Sequence, residues 1–285
     1  MTLAIDKRRA RHAFDQAATS YDQVAELQRE MGDRLLSRLE YIRIEPGVVL
    51  DIGSGTGVIS EKLRKRYKNA KVMAVDFAHS MLMQARKRGS WLRKLPCLCA
   101  DAEAIPLADN SVDLIVSNAM LQWCNDPEAV FREWLRVMRP GGVLMFTTFG
   151  PGTLSELQQA WAAVDDYPHV SRFADMHDIG DALLGGGWEG PVMDIDRFTL
   201  TYSDVKGLMR DIKSLGAGNA AVNRQRSLTG KGKMAAMIEA YEAFRTESNL
   251  PASYEVVYGH AWAPEQKRIG DTTAIPLQSL DFGRK

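Results

Sequence analysis

The chain has 285 residues, 45% of them hydrophobic, and 36 Lys and Arg balance 36 Asp and Glu, a composition typical of a soluble globular protein. The neutral net charge favours neither nucleic acid nor a membrane as a partner. No apolar stretch approaches the ~20 residues of a membrane helix, and the basic N-terminus is not followed by the apolar segment of a secretory signal. Cys97, Cys99 and Cys124 are too few for a disulfide framework, so we expect reduced thiols in a cytoplasmic protein, with the first two packed inside an apolar run.

The first part of the chain predicts a helical cap. In residues 21–42 the apolar side chains of Leu27, Met31, Leu35 and Leu39 recur every four positions, which places them on one face of a helix. We therefore expect residues 1–46 to form an N-terminal helical cap on the domain that follows.

Short apolar runs alternate with helical patterns from residue 47 to about residue 149. The runs VVLDIG (48–53), KVMAVD (71–76), PCLCA (96–100), VDLIVSN (112–118) and GGVLMFTTF (141–149) predict strands, and residues 58–67, 80–88 and 127–138 predict helices. Because the strands are continuously apolar and separated by helices, we expect an α/β fold with a mostly parallel sheet.

Two further strands are predicted downstream, at VMDIDRFTLTY (192–202) and YEVVYGHAW (254–262), and we interpret them as an antiparallel closing pair. The core would then comprise residues 47–202 and 251–265. Residues 203–250 form an insertion too long for a turn, which we interpret as a helical lid over the substrate. Residues 266–285 show no usable periodicity and are assigned to a tail.

A glycine-rich turn follows the first strand in DIGSGTG (51–57). Open parallel sheets bind ligands at the carboxyl ends of their strands, which is where this turn would lie. The dinucleotide pattern GxGxxG would require glycine where Val58 stands, and the phosphate-binding pattern GxxxxGK(S/T) is missing. A turn with a purely structural role remains an alternative.

The pattern (D/E)xGxGxG resembles motif I of the class I S-adenosylmethionine-dependent methyltransferases, and residues 99–118 and 136–144 are similar to later segments of that superfamily. The resemblance implies a Rossmann-like sheet that binds S-adenosylmethionine. Asp76 would accept hydrogen bonds from the ribose hydroxyls, although such an Asp also caps helices. Asp101 and Ala102 would hold the adenine, and Asn118 would lie beside the methionine end. The implied cofactor-binding residues are Asp51, Gly53, Gly55, Gly57, Asp76, Phe77, Asp101, Ala102 and Asn118.

Segments outside this core resemble one family, the malonyl-acyl-carrier-protein O-methyltransferases of biotin synthesis. They include FDQAATSYDQVAELQ (14–28), TTFGPGTLSEL (147–157), FADMHDIGDALLGGGW (173–188) and LTGKGK (228–233). The likeness implies methyl transfer to the free carboxylate of a malonyl thioester, carried by the acyl carrier protein or by coenzyme A. That carboxylate is ionised at neutral pH, so the site must orient it and exclude water rather than supply a base.

The resemblance also implies which side chains surround the methyl-transfer point. Tyr21 in the cap, and Gln122 and Trp123 after the fourth strand, are the expected catalytic residues. The carboxylate requires amide or cationic donors, and the lid offers Arg210, Asn219, Asn223, Arg224 and Arg226. The basic cluster KRRAR (7–11), or the lid arginines, would attract the acidic carrier protein unless these charges are merely solvated helix faces.

His177 lies between Asp175 and Asp178, but an Asp at the start of a helical pattern is favoured by capping, and we expect no metal. We expect a monomer. Three alternatives stay open: another small-molecule methyltransferase of the same fold, a methyltransferase-fold assembly factor that modifies a protein arginine, and a protein that binds the cofactor without catalysis.

Overall fold

A computed structural model describes residues 4–88, 94–224 and 229–265. Within these ranges the chain forms a seven-stranded sheet with the strand order β3-β2-β1-β4-β5-β7-β6. The strands are β1 (Val48–Ile52), β2 (Lys71–Asp76), β3 (Cys97–Cys99), β4 (Val112–Ser117), β5 (Met138–Phe149), β6 (Glu189–Tyr202) and β7 (Leu250–Trp262).

Strands β1 to β5 run parallel, and β1 lies between β2 and β4 with Val49 opposite both Val72 and Leu114. Helices cover both faces of these strands, which explains their continuous apolar sequence and confirms the predicted parallel sheet. β7 is antiparallel to both β5 and β6, as the predicted closing pair requires. β6 and β7 begin earlier than the sequence indicated, at Glu189 and Leu250.

The helices in the described ranges are α1 (Lys7–Ala17), α2 (Tyr21–Val24), α3 (Glu26–Arg38), α4 (Val58–Arg66), α5 (His79–Arg88), α6 (Pro127–Val137), α7 (Ser155–Ala162), α8 (Met176–Gly185), α9 (Val205–Ser214) and α10 (Lys231–Glu242). α4, α5 and α6 connect parallel strands where the sequence predicted helices. The helix predicted over 21–42 is divided at Ala25, which leaves the helical conformation with φ −85° and ψ 42°.

The core lies on both faces of the sheet. On one face the stripe of Leu27, Met31, Leu35 and Leu39 packs against β1 and β5, so the predicted amphipathic face is the buried face of α3. On the other face α6 and α8 contribute Phe131, Trp134 and Leu183, among others. The buried indole of Trp134 donates to the backbone oxygen of Ala102 at 3.1 Å and thereby fixes the chain after β3.

Two expectations about the N-terminal part and the edge of the sheet were incomplete. α1 lies within the predicted helical cap, but the sequence pattern located no helix before residue 21, because α1 buries only Ala10 and Ala17 and therefore has no stripe of large apolar residues. Cys97 is half-buried and Cys99 is exposed, so the expectation of buried cysteines was wrong for an edge strand as short as β3.

The segment between β6 and β7 contains α9 and α10, and its loop pairs with the N-terminus. The Asp6 amide donates to the Ala220 oxygen, and the Val222 amide donates to the Ala4 oxygen, both at 2.8 Å. The described parts of the predicted cap and lid are therefore joined by backbone hydrogen bonds. The division of the chain into cap, core, lid and tail stays a prediction, and residues 266–285 lie outside the described residues. No helix in the described ranges is long and apolar enough to cross a membrane.

Candidate active site

The glycine-rich turn connects β1 to α4 at the carboxyl end of the sheet. Gly53, Gly55 and Gly57 have φ values of 72°, 53° and 81°, a left-handed conformation that other residues adopt only at a cost. A Cβ atom on Gly53 would lie 2.3 Å from Met120 Cγ, whereas one on Gly55 would meet nothing within 4 Å. The backbone at Gly55 therefore faces open space that a ligand can occupy.

Gly57 has a different environment. A Cβ atom there would lie 2.8 Å from the Cβ atom of Ala85 on α5. Gly57 is absent from the lining of the three cavities described below. The structure places it where α4 packs against α5, and its predicted part in cofactor binding stays a prediction.

A cavity of about 650 Å³ lies at the ends of β1, β2 and β4, and we call it the strand-end cavity. It brings together residues that are far apart in the sequence and that were predicted to bind a cofactor or act in catalysis. These are Tyr21, Gly53, Gly55, Asp76, Phe77, Asp101, Ala102, Asn118 and Trp123. Lys7, Phe14 and Met120, which the sequence did not single out, also line it.

Asp76 ends β2 and is 7% exposed. One carboxylate oxygen accepts from the Gly55 amide at 2.9 Å and the other from the Ala78 amide at 2.8 Å. Burial raises the pKa of Asp76 to about 6, although these hydrogen bonds act in the opposite direction. Each oxygen has a second lone pair, and no ion pair joins Asp76 to a described cation, so the carboxylate can accept further hydrogen bonds from a ligand.

Asp51 is the residue before the end of β1 and lies behind the glycine turn. It accepts a 2.5 Å hydrogen bond from the Ser60 hydroxyl, and burial raises its pKa to about 7. Asp51, Gly53, Ser54, Tyr21 and Asn118 are among the residues around a second space of about 470 Å³, which we call the glycine-turn cavity.

Asp101, predicted to hold the adenine, lies at the edge of the strand-end cavity. Lys7 of α1 contacts its two carboxylate oxygens at 2.9 and 2.8 Å and reaches Glu103 at 2.7 Å. These contacts close α1 over the cavity. Lys7 therefore pairs inward and is not a free cation of the predicted docking cluster, whereas Arg8 and Arg11 remain exposed.

A third space of about 880 Å³, the lid cavity, opens beside the other two. Its walls come from the strand ends, α2, α3, α7 and the segment that contains α9, and they are largely aromatic and aliphatic. They include Phe14, Gln122, Trp123, Phe149, Leu157, His169, Phe173, Leu215, Asn219 and Tyr254. No Lys or Arg of the described residues lines this cavity.

Tyr21 lines all three cavities and so lies where they meet. Its hydroxyl makes no hydrogen bond to any described residue. Burial raises the pKa of this phenol, and the charges of Asp76 and Asp22 raise it further. Tyr21 therefore keeps its proton at neutral pH and can donate a hydrogen bond.

Gln122 and Trp123 form a short 3₁₀ turn after β4. The Gln122 amide nitrogen donates to the Ala119 oxygen at 2.7 Å, and its oxygen accepts from the Thr148 hydroxyl at 3.2 Å. Both ends of this amide are thus used to hold the cavity wall. The Trp123 ring packs edge-on against Phe14, with 5.1 Å between ring centroids, and separates the strand-end and lid cavities.

The predicted substrate residues of the lid are not brought together. Asn219 lines the lid cavity, where its side chain bonds to the Pro168 oxygen and the Ala221 amide. Arg210 lies on the exposed face of α9 and Arg224 bonds to the Ala221 oxygen, and neither lines any of the three cavities. Asn223 is exposed and lines a separate outer cleft. Arg226 lies outside the described residues.

His169 was not predicted, and no sequence signal marks it. Its ring stacks on Trp161 at 3.7 Å between centroids, and its Nε2 atom lies 2.8 Å from Asp165. Lys233 of α10 binds the other oxygen of Asp165 at 2.8 Å and holds the pKa of that carboxyl low, at about 2. His169 thus joins the wall of the lid cavity to α10.

The predicted capping role of Asp175 is confirmed, because its side chain accepts from the His177 amide at the start of α8. Among the described residues, no group of three or more His, Cys, Asp or Glu side chains is arranged to hold a metal ion.

Comparison with known proteins agrees with this geometry. A family model described as a methyltransferase domain matches residues 50–146. The chain is 49% identical to the malonyl-acyl-carrier-protein O-methyltransferase of Gallionella capsiferriformans over 279 residues, which cover 96% of each chain. It is 50% identical to the protein of that name from Halorhodospira halophila, with 99% of this chain and 97% of the relative covered.

The fold is also found among solved structures. Phosphoethanolamine N-methyltransferase 2 of Haemonchus contortus, in complex with S-adenosylmethionine, matches with a TM-score of 0.55 at 17% identity. The match covers 88% of this chain and 57% of that one. At this identity the similarity shows the fold alone.

Proposed function

The chain belongs to the malonyl-acyl-carrier-protein O-methyltransferase family, and from this premise we propose its reaction. It transfers a methyl group from S-adenosylmethionine to the free carboxylate of a malonyl thioester, malonyl-acyl-carrier protein or malonyl-coenzyme A. The product is the methyl ester that primes the pimeloyl part of biotin synthesis. The observation that carries the proposal is that three cavities meet at Tyr21. One of them, the strand-end cavity, is lined both by the glycine turn and by the buried carboxylate of Asp76.

The residues of the strand-end and glycine-turn cavities fit S-adenosylmethionine. Asp76 is a buried carboxylate with acceptor capacity left for the two ribose hydroxyls, and Phe77 follows it at the cavity wall. Gly55 leaves its backbone open to a ligand, and the buried Ser54 hydroxyl has no hydrogen-bond partner. Asp101 and Ala102 are proposed to contact the adenine, and Asp51, Gly53 and Asn118 to surround the methionine end.

When bound, S-adenosylmethionine supplies a methyl group on a sulfonium sulfur that a carboxylate can displace in line. The acceptor needs no general base because a simple carboxylic acid is ionised at neutral pH. Tyr21, whose raised pKa keeps it protonated, donates to the carboxylate and orients it. Trp123, Phe149 and the other apolar walls exclude water from the site of transfer.

The carrier protein is the proposed partner, and the enzyme is proposed to act as a cytoplasmic monomer. Since acyl carrier proteins are acidic, the exposed Arg8 and Arg11 on α1 offer a complementary surface beside the cavities that α1 covers. Charge reversal at both positions should raise the KM for malonyl-acyl-carrier protein. The KM for malonyl-coenzyme A should change much less if either thioester is accepted.

The test is incubation with methyl-labelled S-adenosylmethionine and malonyl-acyl-carrier protein, followed by detection of a base-labile methyl ester. We expect label on the malonyl group and none on acetyl-acyl-carrier protein, which lacks the free carboxylate. Label on free small acids alone would favour another small-molecule methyltransferase. Modified arginine in a partner protein, without ester, would favour an assembly factor.

A further inference from the structure

Gln28 lies on α3 at the boundary between two of the cavities. This residue lines both the lid cavity and the glycine-turn cavity. Its backbone oxygen accepts from the Asn118 side chain at 2.9 Å, and the Thr147 hydroxyl donates to the other end of that side chain at 2.7 Å. These bonds hold Gln28 beside the end of β4, where the donor and acceptor of the methyl group must meet.

The side-chain amide of Gln28 has no hydrogen-bond partner among the described residues. Its Oε1 atom is buried without a hydrogen bond, and its nitrogen donates to no described residue. Gln122 differs in this respect, because both ends of its side-chain amide are hydrogen-bonded to the cavity wall. Buried polar groups are almost always hydrogen-bonded, so a ligand is expected to complete this amide. Because no described residue holds either end, a 180° rotation exchanges its oxygen and nitrogen without breaking a hydrogen bond to a described residue. A ligand that donates would meet the oxygen, and a carboxylate, which only accepts, would meet the nitrogen turned into the buried position.

The charge of the lid cavity restricts what can bind a carboxylate there. Among the described residues that line it, His169 is the only basic side chain, and its Nε2 atom already contacts Asp165 at 2.8 Å. The polar groups near the boundary with the cofactor are the hydroxyl of Tyr21 and the amide of Gln28. Both are neutral, and neither is hydrogen-bonded to another side chain or backbone group in the described ranges.

We propose that Gln28 and Tyr21 together hold the malonyl carboxylate, with the amide nitrogen and the hydroxyl each donating to the anion. This inference rests on the proposed function. A carboxylate oxygen forms the new bond to the methyl carbon while the carbon–sulfur bond breaks with its electron pair on sulfur, and no proton moves. The reacting anion and cation lose their charges in this step.

Neutral donors suit such a reaction better than an arginine. A bidentate arginine would stabilise the ionised reactant more than the transition state, in which the negative charge is already reduced. Two neutral donors fix the direction of the oxygen atoms and leave the anion more reactive. Selection for a free carboxylate then comes from hydrogen-bond geometry rather than from an ion pair.

The test compares Gln28→Leu and Gln28→Glu with Gln23→Leu, a control on the exposed side of the same cap. For Gln28→Leu we expect the KM for malonyl-acyl-carrier protein to rise about ten- to a hundredfold, the usual effect of losing one hydrogen bond to a charged group. Gln28→Glu should be more severe, because it places a second anion against the substrate. Affinity for S-adenosylhomocysteine, measured by calorimetry, should change much less than this KM, although Gln28 also borders the glycine-turn cavity.

The outcomes separate this inference from the proposed function. If the wild-type protein forms no ester, the proposed function fails. If it forms ester and Gln28→Leu keeps the wild-type KM, or if Gln28→Glu is no worse than Gln28→Leu, this inference alone is overturned. Weakened S-adenosylhomocysteine binding with an unchanged KM would assign Gln28 to the cofactor instead. Gln28→Met, which keeps the length of the side chain, replaces the leucine variant if the latter does not fold.

Discussion

Gly55 and Gly57 share a backbone requirement but have different surroundings, and alanine at each position should separate ligand binding from folding. Both residues have positive φ, which costs an alanine about 1–2 kcal/mol. At Gly57 the new Cβ atom would also lie 2.8 Å from Ala85 Cβ, and overpacking of this kind costs about 1–3 kcal/mol. At Gly55 the added atom would meet no protein atom within 4 Å.

We therefore expect Gly57→Ala to lose about 2–5 kcal/mol of unfolding free energy, the combined cost of the backbone conformation and the overpacking. At roughly 2–4 °C per kcal/mol for a chain of this size, Tm should fall by roughly 4–20 °C. Gly55→Ala should lose only about 1–2 kcal/mol. Its affinity for S-adenosylhomocysteine should fall about ten- to a hundredfold, because steric overlap of the new methyl group with the ligand costs about 1–3 kcal/mol of binding free energy.

Denaturant unfolding and titration calorimetry on both variants measure the two quantities independently. Each variant serves as the control for the other, because the left-handed conformation is common to both. Wild-type affinity in folded Gly55→Ala would refute the assignment of the open backbone to the cofactor. A Gly57→Ala protein as stable as Gly55→Ala would show that α4 and α5 are not packed as described.

Three further predictions concern Asp76, Tyr21 and Lys7. Asp76→Asn should weaken S-adenosylhomocysteine binding about tenfold or more, because hydrogen bonds to a charged acceptor are stronger by about 1 kcal/mol each. In the wild type, the affinity measured by calorimetry should fall as pH drops through the raised pKa of about 6, where the carboxylate becomes protonated, and a flat profile would contradict this. Tyr21→Phe should lower kcat/KM about ten- to a hundredfold. The pH–rate profile between about pH 7 and pH 9 should keep its shape because the phenol stays protonated, and an ionisation seen there only in the wild type would show that Tyr21 acts as a base. Lys7→Gln should leave Tm nearly unchanged, since partly exposed ion pairs contribute about 0.2–1 kcal/mol. It should speed hydrogen exchange in α1 and the release of S-adenosylhomocysteine, and unchanged exchange would mean that Asp101 and Glu103 do not hold the helix.

The sequence predicts the centre of the sheet well because strands such as β1 and β4 are buried on both faces. Runs such as those that contain Leu50 and Ile115 leave little choice other than a parallel sheet between helices, and the turn residues mark the strand ends. Helix α1 could not be predicted in the same way. It buries two alanines and is held by Asp6 and by the ion pairs of Lys7, none of which produces a periodic apolar pattern.

The site was predictable where residues follow the ends of strands, and not where it is built from the packing of distant segments. Asp76 and Asn118 are positioned by β2 and β4, and both reach the strand-end cavity. The separate role of Gly57 depends on Ala85, which only packing reveals. Gln28 and His169 come from α3 and from the chain after α7, and their approach to one cavity depends on how these segments cross the sheet.

The backbone pairing between residues 4–6 and 220–222 has a practical consequence for handling the protein. Altering the backbone at residues 4–6 would deprive Ala220 and Val222 of their partners, so a change there would loosen a loop more than two hundred positions away. Purification tags are therefore better attached at the carboxyl end. Kinetic comparisons between preparations therefore require that residues 4–6 be the same in each.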